Sequence, residues 1–232
     1  MKKAFFIILV LFSMAGCSWF QTEPDKSAEE LAQEGKEYFA SERYKKAIDS
    51  YKRLKDWYPF SKYATEAELK IADAHFEIEE YTDAILAYEE FENLHPTNEN
   101  TPYVIYQIGY CYFVQVDTID RDQSTAQKAL ETFDRLMKSY PRDPYSIRAQ
   151  EHRKVCLKNL TGNEIYVGLF YYNEKRYQAA MHRFKSVITD YPDVGLHQTA
   201  LRYMTLCEEA IRKQGLSKKK TDTEPRQKPT EG

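Results

Sequence analysis

Five histidines, four cysteines and many carboxylates are the side chains of this 232-residue sequence that could do chemistry. Their spacing decides what kind. None of His75, His95, His152, His182 and His197 forms an H-x₃-H pair or sits in an H-E-x-x-H string, so a zinc-hydrolase helix is not indicated. Glu92-Asn93-Leu94-His95 is a single E-x-x-H, where a di-iron bundle needs two. Asp117, Asp120 and Asp122 loosely resemble a calcium loop but lack its glycine and its distant glutamate. There is no G-x-S-x-G, no phosphate-binding glycine loop and no Cys–His pairing of a recognised type. Asn159-Leu160-Thr161 has the form of a glycosylation acceptor, which matters only in a eukaryotic secretory protein. The pattern points away from an enzyme, with no cofactor and no metal.

One cysteine does sit in a chemically meaningful place. Lys2 and Lys3 precede an apolar run from Ala4 to Phe12, and small residues lead to Cys17. That is a secretory signal, too short for a spanning helix of about 20 residues. Met14-Ala15-Gly16-Cys17 looks like a lipobox, with Met where Leu is usual. The thiol would carry a diacylglycerol, and each buried CH₂ of its acyl chains adds about 0.8 kcal/mol of membrane affinity. Residues 1–16 thus read as a lipoprotein signal peptide, and 17–26 as the lipidated cysteine and its tether. Ser18, where an Asp would retain the chain in the inner membrane under enteric-type sorting, favours the periplasmic face of the outer membrane. The remaining Cys111, Cys156 and Cys207 are odd in number and lie in apolar helical contexts, which reads as buried thiols; a single disulfide stays open.

The elements that position everything else come from an internal repeat. Ala47, Ala84, Ala129 and Ala180 each have an aromatic four residues later: Tyr51, Tyr88, Phe133 and Phe184. Each has a proline twelve residues later: Pro59, Pro96, Pro141 and Pro192. Gly35 and Gly168 stand twelve residues before the first and fourth alanines, and Tyr38 and Tyr171 nine before. This is the tetratricopeptide spacing. Glycine and alanine fall where two antiparallel helices approach closely. The aromatic, four residues on, shares the alanine's face, and proline stops the second helix. In the second copy Ala72 and His75 replace the glycine and tyrosine. In the third, eight extra residues around Val116 to Gln123 separate Gly109 from Ala129. Further helices are expected over Tyr145–Leu160 and Leu196–Arg212. The expectation is an all-α solenoid of about five helix pairs, ten helices, over residues 27–213, followed by a disordered tail at 214–232. The net charge of −3 and the absence of a basic cluster in the body of the chain argue against a nucleic-acid partner. Trp57, Phe60, Tyr63, Tyr103, Tyr106 and Tyr172 lie off the repeat consensus and are open either to core packing or to contacts with proteins.

Several strings resemble the BamD (ComL) family of outer-membrane β-barrel assembly lipoproteins, over roughly Ser27 to Arg212. Trp57-Tyr58-Pro59-Phe60-Ser61-Lys62-Tyr63 looks like the family's R-Y-P-F-x-x-Y segment. Leu94-His95-Pro96 through Tyr103 and Tyr106 is similar to its N-P-x-H-P-x-x-x-Y-x-x-Y region, although the Asn-Pro is missing. Asp120-Arg121-Asp122 and the late Asp190-Tyr191-Pro192-Asp193 resemble its D-R-D insertion and D-Y-P-D. The resemblance implies a scaffold that binds a BamA-type insertase through its C-terminal repeats and unfolded outer-membrane proteins through its N-terminal ones. It makes Tyr38, Arg43, Phe60, Tyr63 and Tyr106 the expected client-binding residues, and Arg176, Arg183 and Asp190 the expected insertase contacts. An aromatic client end with a carboxylate would suit aromatic pockets and arginine. The rival is a tetratricopeptide lipoprotein serving peptidoglycan or cell-division complexes, because fold does not fix partner.

Overall fold

The computed structural model describes residues 26–223, with side chains to Leu216. The signal peptide, Cys17 and the tether to 25 lie outside the described residues, as do the last nine. Within them the chain is helical, with nine helices and no strand. It forms two compact units, one ending at Ile78 and one beginning at Glu79.

The first unit holds α1 (Ala28–Ala40), α2 (Tyr44–Trp57) and α3 (Ala64–Glu77). Helix α1 starts at a capping box: Glu30 N–H donates to Ser27 Oγ, and Ser27 N–H donates to the Glu30 carboxylate at 2.7 Å. It ends in a Schellman turn, with Glu42 N–H on the Phe39 carbonyl and Arg43 N–H on the Tyr38 carbonyl at 2.8 Å. Glu42 takes the left-handed conformation that this turn requires, φ 57°. Leu31, Ala47, Leu54 and Ala72 are fully enclosed in the core.

The second unit holds α4 (Tyr81–Leu94), α5 (Thr101–Phe113), α6 (Ser124–Ser139), α7 (Pro144–Asn173), α8 (Tyr177–Thr189) and α9 (His197–Thr223). Each packs mainly on its neighbours in sequence, the arrangement of a stack of helix hairpins. The α7–α8 connection repeats the Schellman turn: Lys175 has φ 59°, and Arg176 N–H reaches the Tyr171 carbonyl at 2.9 Å. The residues before Pro59, Pro96 and Pro141 share one C-cap geometry, with φ between −133° and −129°. Proline forces this by excluding its predecessor from helical ψ. The fourth copy departs, since α8 stops at Thr189 and Asp190 caps it.

The repeat anchors are what the spacing requires. Ala47, Ala84, Ala129 and Ala180 have no exposed surface, and Tyr88, Phe133 and Phe184 likewise have none. The glycines face these rings. A Cβ on Gly35, Gly109 or Gly168 would stand 2.5–2.6 Å from Tyr51, Phe133 or Phe184. Only hydrogen allows so close an approach. Cys111, Cys156 and Cys207 are buried free thiols.

Two boundaries differ from the sequence-based expectation. The helix expected over Tyr145–Leu160 does not end there. It continues as α7 for 30 residues into the first helix of the fourth repeat, so the described residues hold nine helices instead of ten. Thr161, Gly162 and Asn163 are weak helix formers, but Thr161 is buried and returns its hydroxyl to the Leu157 carbonyl at 2.7 Å. No proline intervenes before Asn173. At the other end, α9 runs past 213 to Thr223, so residues 214–223, expected in the tail, are helical. The stretch has no proline until Pro225, and its lysines suit a helix C-terminus.

Candidate binding surfaces

In the first unit, a cleft of about 660 Å³ opens beside α1, with Tyr51 of α2 and Tyr63, Glu66 and Ala67 at the start of α3 among its walls. Its charge is mostly negative. Glu29, Glu30, Glu34, Glu37 and Glu66 line it, against Lys26 and Lys36. Three of these carboxylates are engaged locally. Glu30 is held by the Ser27 cap, which keeps it below the usual carboxylate range. Glu34 takes Lys26 at 2.8 Å and Ser50 at 3.1 Å, and is lowered chiefly by the lysine. Glu37 accepts from the Gln33 amide at 2.8 Å. Glu29 and Glu66 are exposed and have no partner among the described residues. Tyr51 is 5% exposed, and burial, reinforced by Glu66 and Asp73, pushes its phenol up to about 12.

The five residues expected to hold a client are scattered. Tyr38 and Arg43 meet at the α1–α2 turn, the guanidinium 4.8 Å from the ring centroid. They are the third-last residue and the second flanking residue of the Schellman turn, positions that normally make an apolar contact. Arg176 over Tyr171, at 4.9 Å, is the same pair in the fourth repeat. Both arginines therefore brace a turn. Phe60 is fully exposed in the α2–α3 loop, and Tyr63 lies under the Lys62 ammonium at 4.9 Å. Only Tyr63 of the five lines the cleft.

Tyr106 does not belong to a surface groove. It is 9% exposed in the core of the second unit, its ring against Phe133 and His152 and its hydroxyl 3.1 Å from His152 Nε2. The four-residue periodicity of α5 carries it inward beside the third repeat's aromatic anchor.

Arg176, Arg183 and Asp190 recur at intervals of seven, two helical turns each, from the N-cap to the C-cap of α8. They therefore share one stripe. Arg183 pairs with Glu164 of α7 at 3.2 Å, and Asp190 accepts from Thr189 at 2.7 Å.

The insertion is tied down. Asn159 and Asn163 of α7 donate to the carbonyls of Asp117 at 2.7 Å and Ile119 at 2.6 Å. Gly162 lies between them, leaving room for Ile119. Asp120 accepts from Thr118 within the loop, and Asp122 from Ser124 at the start of α6.

The acidic cleft went unpredicted. Its signal was present, since Glu30, Glu34 and Glu37 recur every three or four residues along α1. The partner residues from α2 and α3 could come only from the packing.

The sequence model of the outer membrane lipoprotein family YfiO matches residues 24–225. The chain belongs to this family. Relatives named outer membrane protein assembly factor BamD include that of Caulobacter vibrioides, 28% identical over 88% of this chain and 71% of its own length. That of Neisseria gonorrhoeae is 26% identical over 94% and 88%. Among solved structures, the TPR2AB domain of yeast Sti1 in its pHSP90 complex aligns with TM-score 0.49 and 13% identity, covering 79% of this chain and 70% of that one.

Proposed function

We propose that this family member is a lipid-anchored scaffold of the outer-membrane β-barrel assembly machinery. It binds a BamA-type insertase and unfolded outer-membrane protein clients, and works by binding, not by catalysis. The observation that carries the reading is the match to an outer-membrane lipoprotein family across 24–225, joined to relatives named as assembly factors. A lipid on Cys17 would hold it at the periplasmic face of the outer membrane. The stripe of Arg176, Arg183 and Asp190 along α8 is the insertase contact in this reading. Tyr38, Arg43, Phe60 and Tyr63 of the first unit receive the client; Tyr106, being core, is left out.

Arg43 and Arg176 separate structure from function. Both stack on a tyrosine at equivalent turns, so Arg43→Ala and Arg176→Ala should each cost about 0.5–1 kcal/mol of stability. Only Arg176→Ala should weaken the insertase contact. The test is affinity purification of the tagged chain from detergent-solubilised envelopes. A stoichiometric barrel protein with periplasmic repeat domains, lost selectively with Arg176→Ala and Asp190→Ala, supports the proposal. Recovery of peptidoglycan or division proteins and no barrel protein overturns it.

A further inference from the structure

Two large apolar side chains of the first unit stand in water, three residues apart. Trp57 closes α2 with 48% of its surface exposed, and Phe60 in the α2–α3 loop is fully exposed. Pro59 between them is exposed as well, and Arg53 lies over the Trp57 ring at 4.7 Å. The core of this helix pair is filled without them, by Ala47, Tyr51 and Leu54 of α2. Exposed apolar residues grouped in this way mark a contact surface. Their place in the fold says what that surface meets. Helix α1 runs away from Lys26 and α2 packs back along it, so the α2–α3 loop returns to the end where the chain enters the unit. The Tyr58 hydroxyl fixes this return by donating to the Lys26 carbonyl at 2.9 Å. Nine residues, 17–25, precede Lys26. Fully extended they reach about 30 Å, so a lipid on Cys17 keeps this end of the unit within that distance of the bilayer. The α1–α2 turn with Tyr38 and Arg43 lies about 20 Å further on, at the far end of α1.

We infer that the α2–α3 loop seats on the phospholipid surface of the membrane that holds the anchor, with Trp57 and Phe60 in the boundary between headgroups and acyl chains. The inference rests on the lipid-anchored reading of Cys17. Aromatic rings are favoured at that boundary, and lysine or arginine beside them reaches the phosphates. Lys52, Arg53, Lys55 and Lys62 flank the pair, against Asp56. Glu29 and Glu30 are exposed at the start of α1, at the same end of the unit. Their carboxylates offset much of the basic charge, so the rings and not the cations hold the loop. The loop gives the first unit a second point of attachment besides the tether, which restricts how the unit can turn on its anchor. A client received at this loop is therefore received at the bilayer surface.

The test reads Trp57 itself. The chain has two tryptophans, Trp19 and Trp57, so Trp19→Phe leaves Trp57 as the single reporter of the loop. The full chain with this change is purified from envelopes and reconstituted in vesicles of phosphatidylcholine, which carries no net charge. One set of vesicles has lipid brominated near the glycerol end of an acyl chain. Trp57 emission should move to the blue on reconstitution and be quenched by the brominated lipid. Phe60→Ser should remove most of that quenching, with the thermal midpoint unchanged because the side chain is fully exposed. Leu86→Ser alters an exposed apolar residue of α4 instead and should leave the quenching as it was. Flotation of the chain with the vesicles reads the anchor separately. A chain that floats with Trp57 unquenched overturns the loop contact and spares the anchor. A chain that neither floats nor is quenched overturns both. Quenching that Phe60→Ser leaves unchanged also overturns the inference, because the tether alone would then account for it.

Discussion

Gly168→Ala adds one methyl group and should destabilise the fourth repeat. The new Cβ would stand 2.6 Å from Phe184 Cε1, with two further ring atoms within 3.0 Å. Ordinary carbon contacts are about 3.5–4.0 Å, so α7 and the ring must part by about 1 Å. The ring cannot retreat freely, because it has no exposed surface and stacks on Tyr203 at 5.3 Å. Overpacking of this kind costs about 1–3 kcal/mol, and three crowded ring atoms put the site near the upper end. Alanine returns about 1 kcal/mol through its helix propensity. The net loss is then about 2 kcal/mol, a fall of about 4–8 °C in thermal midpoint for a domain of this size. Circular dichroism melts would measure it. Gly215→Ala is the control, since nothing lies within 4 Å of a Cβ there. It should be neutral or stabilising by up to about 1 kcal/mol. Adding Phe184→Leu removes the crowding atoms, so the double variant should recover at least about 1 kcal/mol relative to additivity. If Gly168→Ala melts at or above the parent, or Phe184→Leu shows no coupling, the close-approach account of the repeat is wrong.

Glu42 and Lys175 hold left-handed φ without being glycine, so Glu42→Gly and Lys175→Gly should each stabilise by about 0.5–1 kcal/mol, read from urea midpoints. Removing both staples of the insertion, Asn159→Ala with Asn163→Ala, should speed tryptic cleavage after the exposed Arg121 while helicity stays constant; an unchanged cleavage rate would show that the staples do not hold the loop. Burial holds the His152 imidazole below its ordinary value of 6.5, partly offset by Glu151. The unfolded chain then binds a proton at higher pH than the folded one, so this contribution is complete above about pH 6.5 and lost as pH falls through the lower folded value. His152→Phe, an aromatic among Tyr110, Phe113 and Phe133, should flatten that part of the pH–stability curve.

The repeat was legible because each anchor is fixed by a local distance along one helix. The positions of Ala47 and Tyr51, or Ala180 and Phe184, follow from helical geometry alone, and the prolines mark their own stops. The fusion across Thr161-Gly162-Asn163 was not legible. Those residue types favour turns, and only the docking of Ile119 on Gly162 explains why they sit inside a helix. The stripe of Arg176, Arg183 and Asp190 was half legible: spacings of seven are visible in the sequence, whereas the Arg183–Glu164 pair requires α7 to be placed. Arg43 and Tyr38 could be singled out, but their turn-bracing role follows from the Schellman hydrogen bonds. The cleft depends on three helices at once, which one-dimensional periodicity does not relate.

Controlled depletion of the chain in its host tests the assembly role most directly. Folded outer-membrane β-barrels would be quantified by their heat-dependent mobility in gels, beside peptidoglycan content and division frequency. On depletion, folded barrels should fall first and unfolded ones accumulate, with rescue by the parent chain and impaired rescue by Arg176→Ala. Unchanged barrel levels with a primary failure of the cell wall or division would contradict it.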